Sequence, residues 1–209
     1  MPSKTYALFT ETGREQRLVD VLTNTIQFST PDAADRIYVP YRAKLMRDRD
    51  ENGKLIWTEV RDILMPRCCF VESSDIELFY SLLYKPQIDM LYALLGKGTE
   101  CTIYPVTNDD LERLERLMNG SDYAEASRGT KTGSTIRFTS GPLVGREAEV
   151  SFIDTHRKFA LLKMMFLGEM RDVKLAVDIV YDRTETVTSP PSSPACAASS
   201  APPDVSKSK

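Results

Sequence analysis

Chemistry in this sequence would have to begin from few starting groups. His156 is the only histidine, which excludes any catalytic arrangement or metal centre that needs two imidazoles. Cys68 and Cys69 are adjacent in an apolar run, Cys101 stands alone, and Cys196 falls in a Ser/Pro-rich stretch. That spacing fits reduced thiols and neither a CxxC pair nor a zinc set. Asp109 and Asp110 are neighbouring carboxylates with no partner base in the pattern, and the same holds for Cys68 as a nucleophile. The chain also lacks a Gly-x-x-x-x-Gly-Lys phosphate loop, a Gly-x-Ser-x-Gly elbow and a Gly-x-Gly-x-x-Gly turn. No enzyme, no cofactor and no metal is expected.

What remains is the chemistry of binding. Residues 36–67 carry eight bases against five acids, net +3, in a chain whose formal charge is −3. A nucleic-acid contact would therefore come from a local patch, with Arg42, Lys44 and Arg67 in that segment and Arg14 and Arg17 upstream as its candidates. Arginine offers forked bonds to phosphate or guanine and a planar face for stacking on loop bases. The other reading, a solvated hairpin face, stands beside it for each single arginine.

Those side chains need elements to hold them. In "TYALFTETGREQRLVDVLTNTIQF" the run Tyr6–Phe9 reads as a buried strand, with a turn at Thr12-Gly13, and Leu18, Val19, Leu22 and Ile26 then recur at helical spacing. Two extended runs flank "DENGK", where Asn52-Gly53 is expected to supply the positive φ angles of a tight hairpin turn. A short strand follows Met65-Pro66 at Cys68–Val71. Helices are expected over "SSDIELFYSLLYK", capped by Ser73 or Ser74, and over "TNDDLERLERLMNG", capped by Thr107 or Asn108 and ended by Gly120.

The fold class expected is α+β, with an N-terminal α/β sandwich over residues 1–120. Residues 121–132, polar and without apolar periodicity, read as a flexible linker. Short strands with alternating apolar positions fill 133–182 and fit a small closed β-barrel. The Pro/Ser/Ala-rich stretch 183–209 is expected to be a disordered tail. No run of eighteen apolar residues and no secretion-signal core occurs, so the chain is read as cytoplasmic, without membrane contact and as a monomer.

The barrel segment opens on "IRFTSGPLVGREAEVSFID", with Gly141, Pro142 and Gly145 inside a few residues. Pro142 fixes φ and Gly141 accepts a backbone shape closed to other residues, so barrel corners alone would account for them. The wording is more specific. Gly133, Gly141, Pro142, Leu143, Gly145, Val150, Ile153, Asp154, Arg157, Lys158, Phe166, Gly168, Val173 and Leu175 match the KOW motif of the NusG family of transcription elongation factors, which this region resembles. Ala148 stands where that motif has a small glycine step, and Leu167 is inserted between Phe166 and Gly168. Upstream, "YALFTETGREQRLVDVL" and "YVPYRAKL…WTEVRDILMPRCCFVES" resemble the family's NGN domain, departing from it at Thr5, usually tryptophan, and at Arg67-Cys68, often glycine-tyrosine. The phrases "ALFTETG" and "SGPLVGREAEV" are most similar to the LoaP-type specialised paralogs.

The resemblance implies a bacterial regulator that docks on the clamp helices of the RNA polymerase β′ subunit through an apolar patch of Phe9, Met65 and Phe70. For Phe70, plain core packing is the competing reading. It further implies processive antitermination of particular long operons with recognition of a leader RNA hairpin. Arg157 and Lys158, in the loop "THRKF", would meet RNA, a ribosomal protein or a termination factor, or would simply solubilise the loop. The alternative implied by the barrel alone is an RNA-binding KOW protein that acts at the ribosome without touching polymerase.

Overall fold

The computed structural model describes residues 3–83 and 103–181. The tail expected at 183–209 lies outside these residues, as do Cys101 and Cys196. Alternation sets the first sheet. Strand β1 (Lys4–Phe9) points Ala7 to one face and Leu8 to the other, and β5 (Cys68–Ser73) does the same with Cys68 and Phe70 against Cys69 and Val71. With β2 (Arg36–Tyr38) and β6 (Ile103–Pro105) these strands make a four-stranded antiparallel sheet in the order β2-β5-β1-β6.

Helix α1 (Glu15–Ser29) lays Leu18, Val19, Leu22 and Ile26 on the face of Leu8, Cys69 and Val71, and α2 (Ile76–Leu83) adds Phe79, Leu82 and Leu83 to the same layer. The other face, with Ala7, Cys68 and Phe70, is covered by Leu114, Leu117 and Met118 of α3 (Asn108–Met118). The expected sandwich is thus present, with helices on both faces.

The helix signals resolve differently at the two starts. Thr107 caps α3 as expected: its Oγ1 accepts the Asp110 N–H at 3.2 Å, and Asn119 and Gly120 end the helix at φ 49° and 75°. For α2 the expected serine cap is replaced by Asp75, whose Oδ1 accepts the Leu78 N–H at 3.0 Å, while Ser73 Oγ accepts the Asp75 N–H and so sets the turn before it.

A long ribbon leaves this unit. Strands β3 (Tyr41–Arg49) and β4 (Leu55–Ile63) pair antiparallel over nine residues each. Their turn is wider than the expected two-residue one. Only Gly53 takes positive φ, and the Asp50 carboxylate closes the loop by accepting the Asn52 and Lys54 N–H groups at 2.9 and 2.8 Å.

The flexible linker expected at 121–132 is instead two strands. β7 (Tyr123–Ala124) pairs parallel with β3, and β8 (Ser127–Thr132) pairs parallel with β12 (Glu169–Tyr181) and antiparallel with β9 (Thr135–Ser140). The inward positions of β8 are Ser127 and Gly129, so its buried side is small rather than apolar and leaves no hydrophobic period to read. A Cβ on Gly129 would stand 2.6 Å from the Arg137 carbonyl oxygen, so the neighbouring strand comes too close for a side chain.

The second sheet runs β10-β11-β12-β8-β9, with β10 (Val150–Asp154) and β11 (Phe159–Phe166). The expected barrel is not closed by hydrogen bonds: β9 and β10 are the two ends of the order. Between them the Glu147 carboxylate accepts the Phe138 N–H at 3.2 Å, and Ile136, Phe138, Val150 and Phe152 line a cavity of about 250 Å³.

Gly141 explains the corner. It lies at φ +86°, and a Cβ there would meet the Ser127 Cα at 2.6 Å, so the end of β9 turns directly over the start of β8. Ser127 Oγ then accepts the Leu143 N–H, and Leu143 is wholly buried. At the far end the inserted Leu167 (φ 51°) and Gly168 (φ 77°) form the two-residue turn between Phe166 and Glu169, both central residues at positive φ as a type I′ turn requires.

Candidate functional site: an apolar seam beside a basic pocket

The apolar layer beneath α3 does not stop at the first unit. Phe70, Met65 and Leu64 share one continuous core with Phe138, Leu162, Met164, Phe166 and Val173 of the second sheet. Phe70 is 0% exposed; its ring stacks on Tyr38 at 5.5 Å and meets Phe166 edge-on at 6.0 Å with 71° between planes. Met65 is 4% exposed. Phe9 is half-buried at the rim, against Tyr104 at 5.4 Å, with the Arg171 guanidinium 5.5 Å from its ring.

The three expected anchors therefore converge, but on an occupied site. Phe70 offers no open hollow in this arrangement, because Phe166 and its neighbours cover it. Of the two readings of Phe70, core packing describes this state.

The basic candidates separate into two groups. Arg67 adopts φ 69°, and its N–H donates to Glu15 Oε1 at 2.7 Å, which ties it to the N-terminal turn of α1, where Arg14 pairs with Glu11 at 3.1 Å and Arg17 is exposed. Arg42 and Lys44 belong elsewhere. Arg42 is 8% exposed and spends its guanidinium on Asp62 at 2.7 Å and the Ile63 carbonyl at 3.0 Å; Lys44 lies 3.8 Å from Asp62. Burial lowers the Arg42 pKa and Asp62 opposes it, so this residue is a buried structural cation more than a probe for RNA.

Arg42 and Lys44 line, with Arg157, Lys158, Phe159 and Lys174, a pocket of about 170 Å³. The Asp154 carboxylate accepts the His156 and Arg157 N–H groups in the turn after β10, and Lys158 is held at φ 53° with its ammonium 2.5 Å from Asp178 and 4.8 Å from the Trp57 ring. His156 is exposed beside them. Nothing in the sequence marks Lys174 and Trp57 as site residues: Lys174 reaches the pocket only because β12 packs against β3, and Trp57 meets Lys158 from β4, while Arg171 lies apart, at the Phe9 rim of the seam.

Cys68, Cys69 and Asp110 are buried. Burial pushes the Cys68 thiol up to about 12, partly offset by Arg171, and pushes Cys69 up further, so neither is a thiolate near neutrality. Asp110 is buried and accepts from the Thr107 hydroxyl and Arg113 at the start of α3. Among the described residues no group of three metal-ligating side chains gathers, and no helix there is long and apolar enough to cross a membrane.

No protein-family profile matches the chain, and no curated protein does. Among solved structures it is similar to one described as domain interaction in Thermotoga maritima NusG, with a TM-score of 0.48 and 18% identity over 83% of this chain and 93% of that one.

Proposed function

We propose that this protein is a non-enzymatic regulator of transcript elongation that binds RNA polymerase at the β′ clamp helices and favours processive antitermination of particular long operons, with recognition of a leader RNA hairpin. The observation that carries the reading is convergence: Phe9, Met65 and Phe70, picked out by the resemblance, meet on one apolar seam instead of scattering through separate cores. Aromatic and methionine side chains of this kind are the anchors of helix-in-groove docking. Because Phe166 and Arg171 cover them, docking requires the second unit to withdraw, and polymerase then selects the open arrangement by its differential affinity. Stabilising the closed clamp needs no covalent step, in keeping with the Cys68 and Cys69 thiols held protonated and the Asp110 carboxylate spent on a helix start. The second unit, once free, is available to RNA, to a ribosomal protein or to a termination factor.

Co-purification with core RNA polymerase tests this. Binding is expected, and its absence under conditions that open the seam removes the proposal. The rival, an RNA-binding protein acting at the ribosome, is favoured by the basic pocket alone. Gel shifts with leader RNA, with and without polymerase, separate the two.

A further inference from the structure

The basic pocket stands out because its cations come from both units. Arg42 and Lys44 project from β3, Arg157 and Lys158 from the turn before β11, and Lys174 from β12. Five cations face one small space, and the carboxylates that answer them are Asp62 for Arg42 and Lys44, Asp178 for Lys158, and Asp154 at 3.9 Å for Arg157. Lys174 has no carboxylate within salt-bridge range among the described residues; its ammonium rests 3.9 Å from the centre of the Phe159 ring. Desolvation, then repulsion by Arg42, Lys44 and Arg157, holds its pKa below the ordinary lysine range, so positive charge is gathered here beyond what the carboxylates neutralise.

We propose that this pocket is a seat for a phosphoryl group, bound between Lys44 of the first unit and Arg157, Lys158 and Lys174 of the second. Its volume of about 170 Å³ admits a phosphate or a pyrophosphate but not a whole nucleotide, which needs the several hundred cubic ångströms of a common ligand pocket. The phosphoryl group is therefore presented from outside, either by the backbone of a nucleic-acid strand or as a small free phosphate. Ammonium and guanidinium groups supply charge-assisted hydrogen bonds to its oxygens. Since both units contribute, occupancy favours the arrangement in which the seam is closed, and by reciprocity anything that opens the seam weakens the phosphate. This narrows the nucleic-acid part of the proposed function and rests on it only for the choice of the strand as a source; it needs no polymerase, and because docking opens the seam the two bindings oppose each other.

Trp57 is the only tryptophan and lies under Lys158, so its fluorescence reports on the pocket. The full chain is titrated with inorganic pyrophosphate in one arm and with a short oligouridylate in the other, at low salt. A saturable change in either arm is expected, with Lys174→Gln and Lys44→Gln each weakening binding about tenfold, as loss of one charge-assisted contact should. Lys163→Gln, on β11 of the same sheet but outside the pocket, is expected to bind as the parent does. A tighter oligouridylate whose affinity falls steeply with salt, with a slope reduced by about one in Lys174→Gln, identifies the strand as source. Pyrophosphate binding alone identifies the free anion. No change in either arm, or unaltered binding by both glutamine variants, overturns the site. Because polymerase is absent from the titration, its failure leaves the docking proposal standing, and failure of the pull-down leaves this one.

Discussion

Replacing Phe70 and Phe166 by leucine, singly and together, measures whether the two units share a core. Both rings are wholly buried, so each single variant should lose roughly 1–2 kcal/mol, the ordinary cost of trimming a packed side chain. Their contact is edge-to-face at 6.0 Å and 71°, a geometry worth about 0.5–1.5 kcal/mol beyond area burial. The double variant should therefore be less destabilised than the sum of the singles by that amount. Urea unfolding followed by Trp57 fluorescence and by circular dichroism gives the four stabilities. The pair lies in separate sheets, and a coupling of this size arises only if the sheets pack against each other in solution. Additivity within about 0.3 kcal/mol would refute a shared core. The same burial makes Phe70→Asp unsuitable as a docking probe, since a charge there would break the fold before it touched a partner.

Gly141→Ala should cost about 2–5 kcal/mol by thermal melting, because left-handed strain adds to a Cβ placed 2.6 Å from the Ser127 backbone; Gly145→Ala, with open space around it at φ +72°, should cost only about 1–2 kcal/mol. Arg67→Gly should stabilise the chain by up to about 1 kcal/mol, since arginine there holds φ 69° and its Glu15 contact is made by the backbone; a loss of stability would show that the side chain matters. The Cys68 thiol should resist labelling at pH 8 in the native chain and react on unfolding. Its folded pKa, about 12, lies above the unfolded value near 9, so its contribution is intact below about pH 9 and lost as pH climbs toward 12. Melting against pH should accordingly fall less steeply for Cys68→Ala than for the parent.

The first unit was largely legible because its signals are local. The Thr107 cap, the helical spacing of Leu18, Leu22 and Ile26, and the alternation in β1 each depend on neighbours within a few residues. The strand at 127–132 was hidden because Ser127 and Gly129 bury backbone contacts instead of apolar side chains. For the candidate site, residue types were readable but grouping was not. Arg42 and Lys44 were expected beside Arg14 and Arg17, yet β3 carries them to the second sheet, and nothing near Lys174 in sequence indicates that it faces them. Phe70 shows the same limit: a phenylalanine in a β-strand reads alike whether its face meets solvent, a partner helix or another part of its own chain.

The direct test of the docking account uses Phe9, which is only half-buried and sits at the rim of the seam. The affinity of core RNA polymerase for the full chain is measured for the parent and for Phe9→Asp, with circular dichroism confirming that the variant folds. Loss of a docking anchor should cost at least about 2 kcal/mol, or roughly thirtyfold in Kd. Equal affinity of parent and folded variant, or no binding of either, would contradict the account.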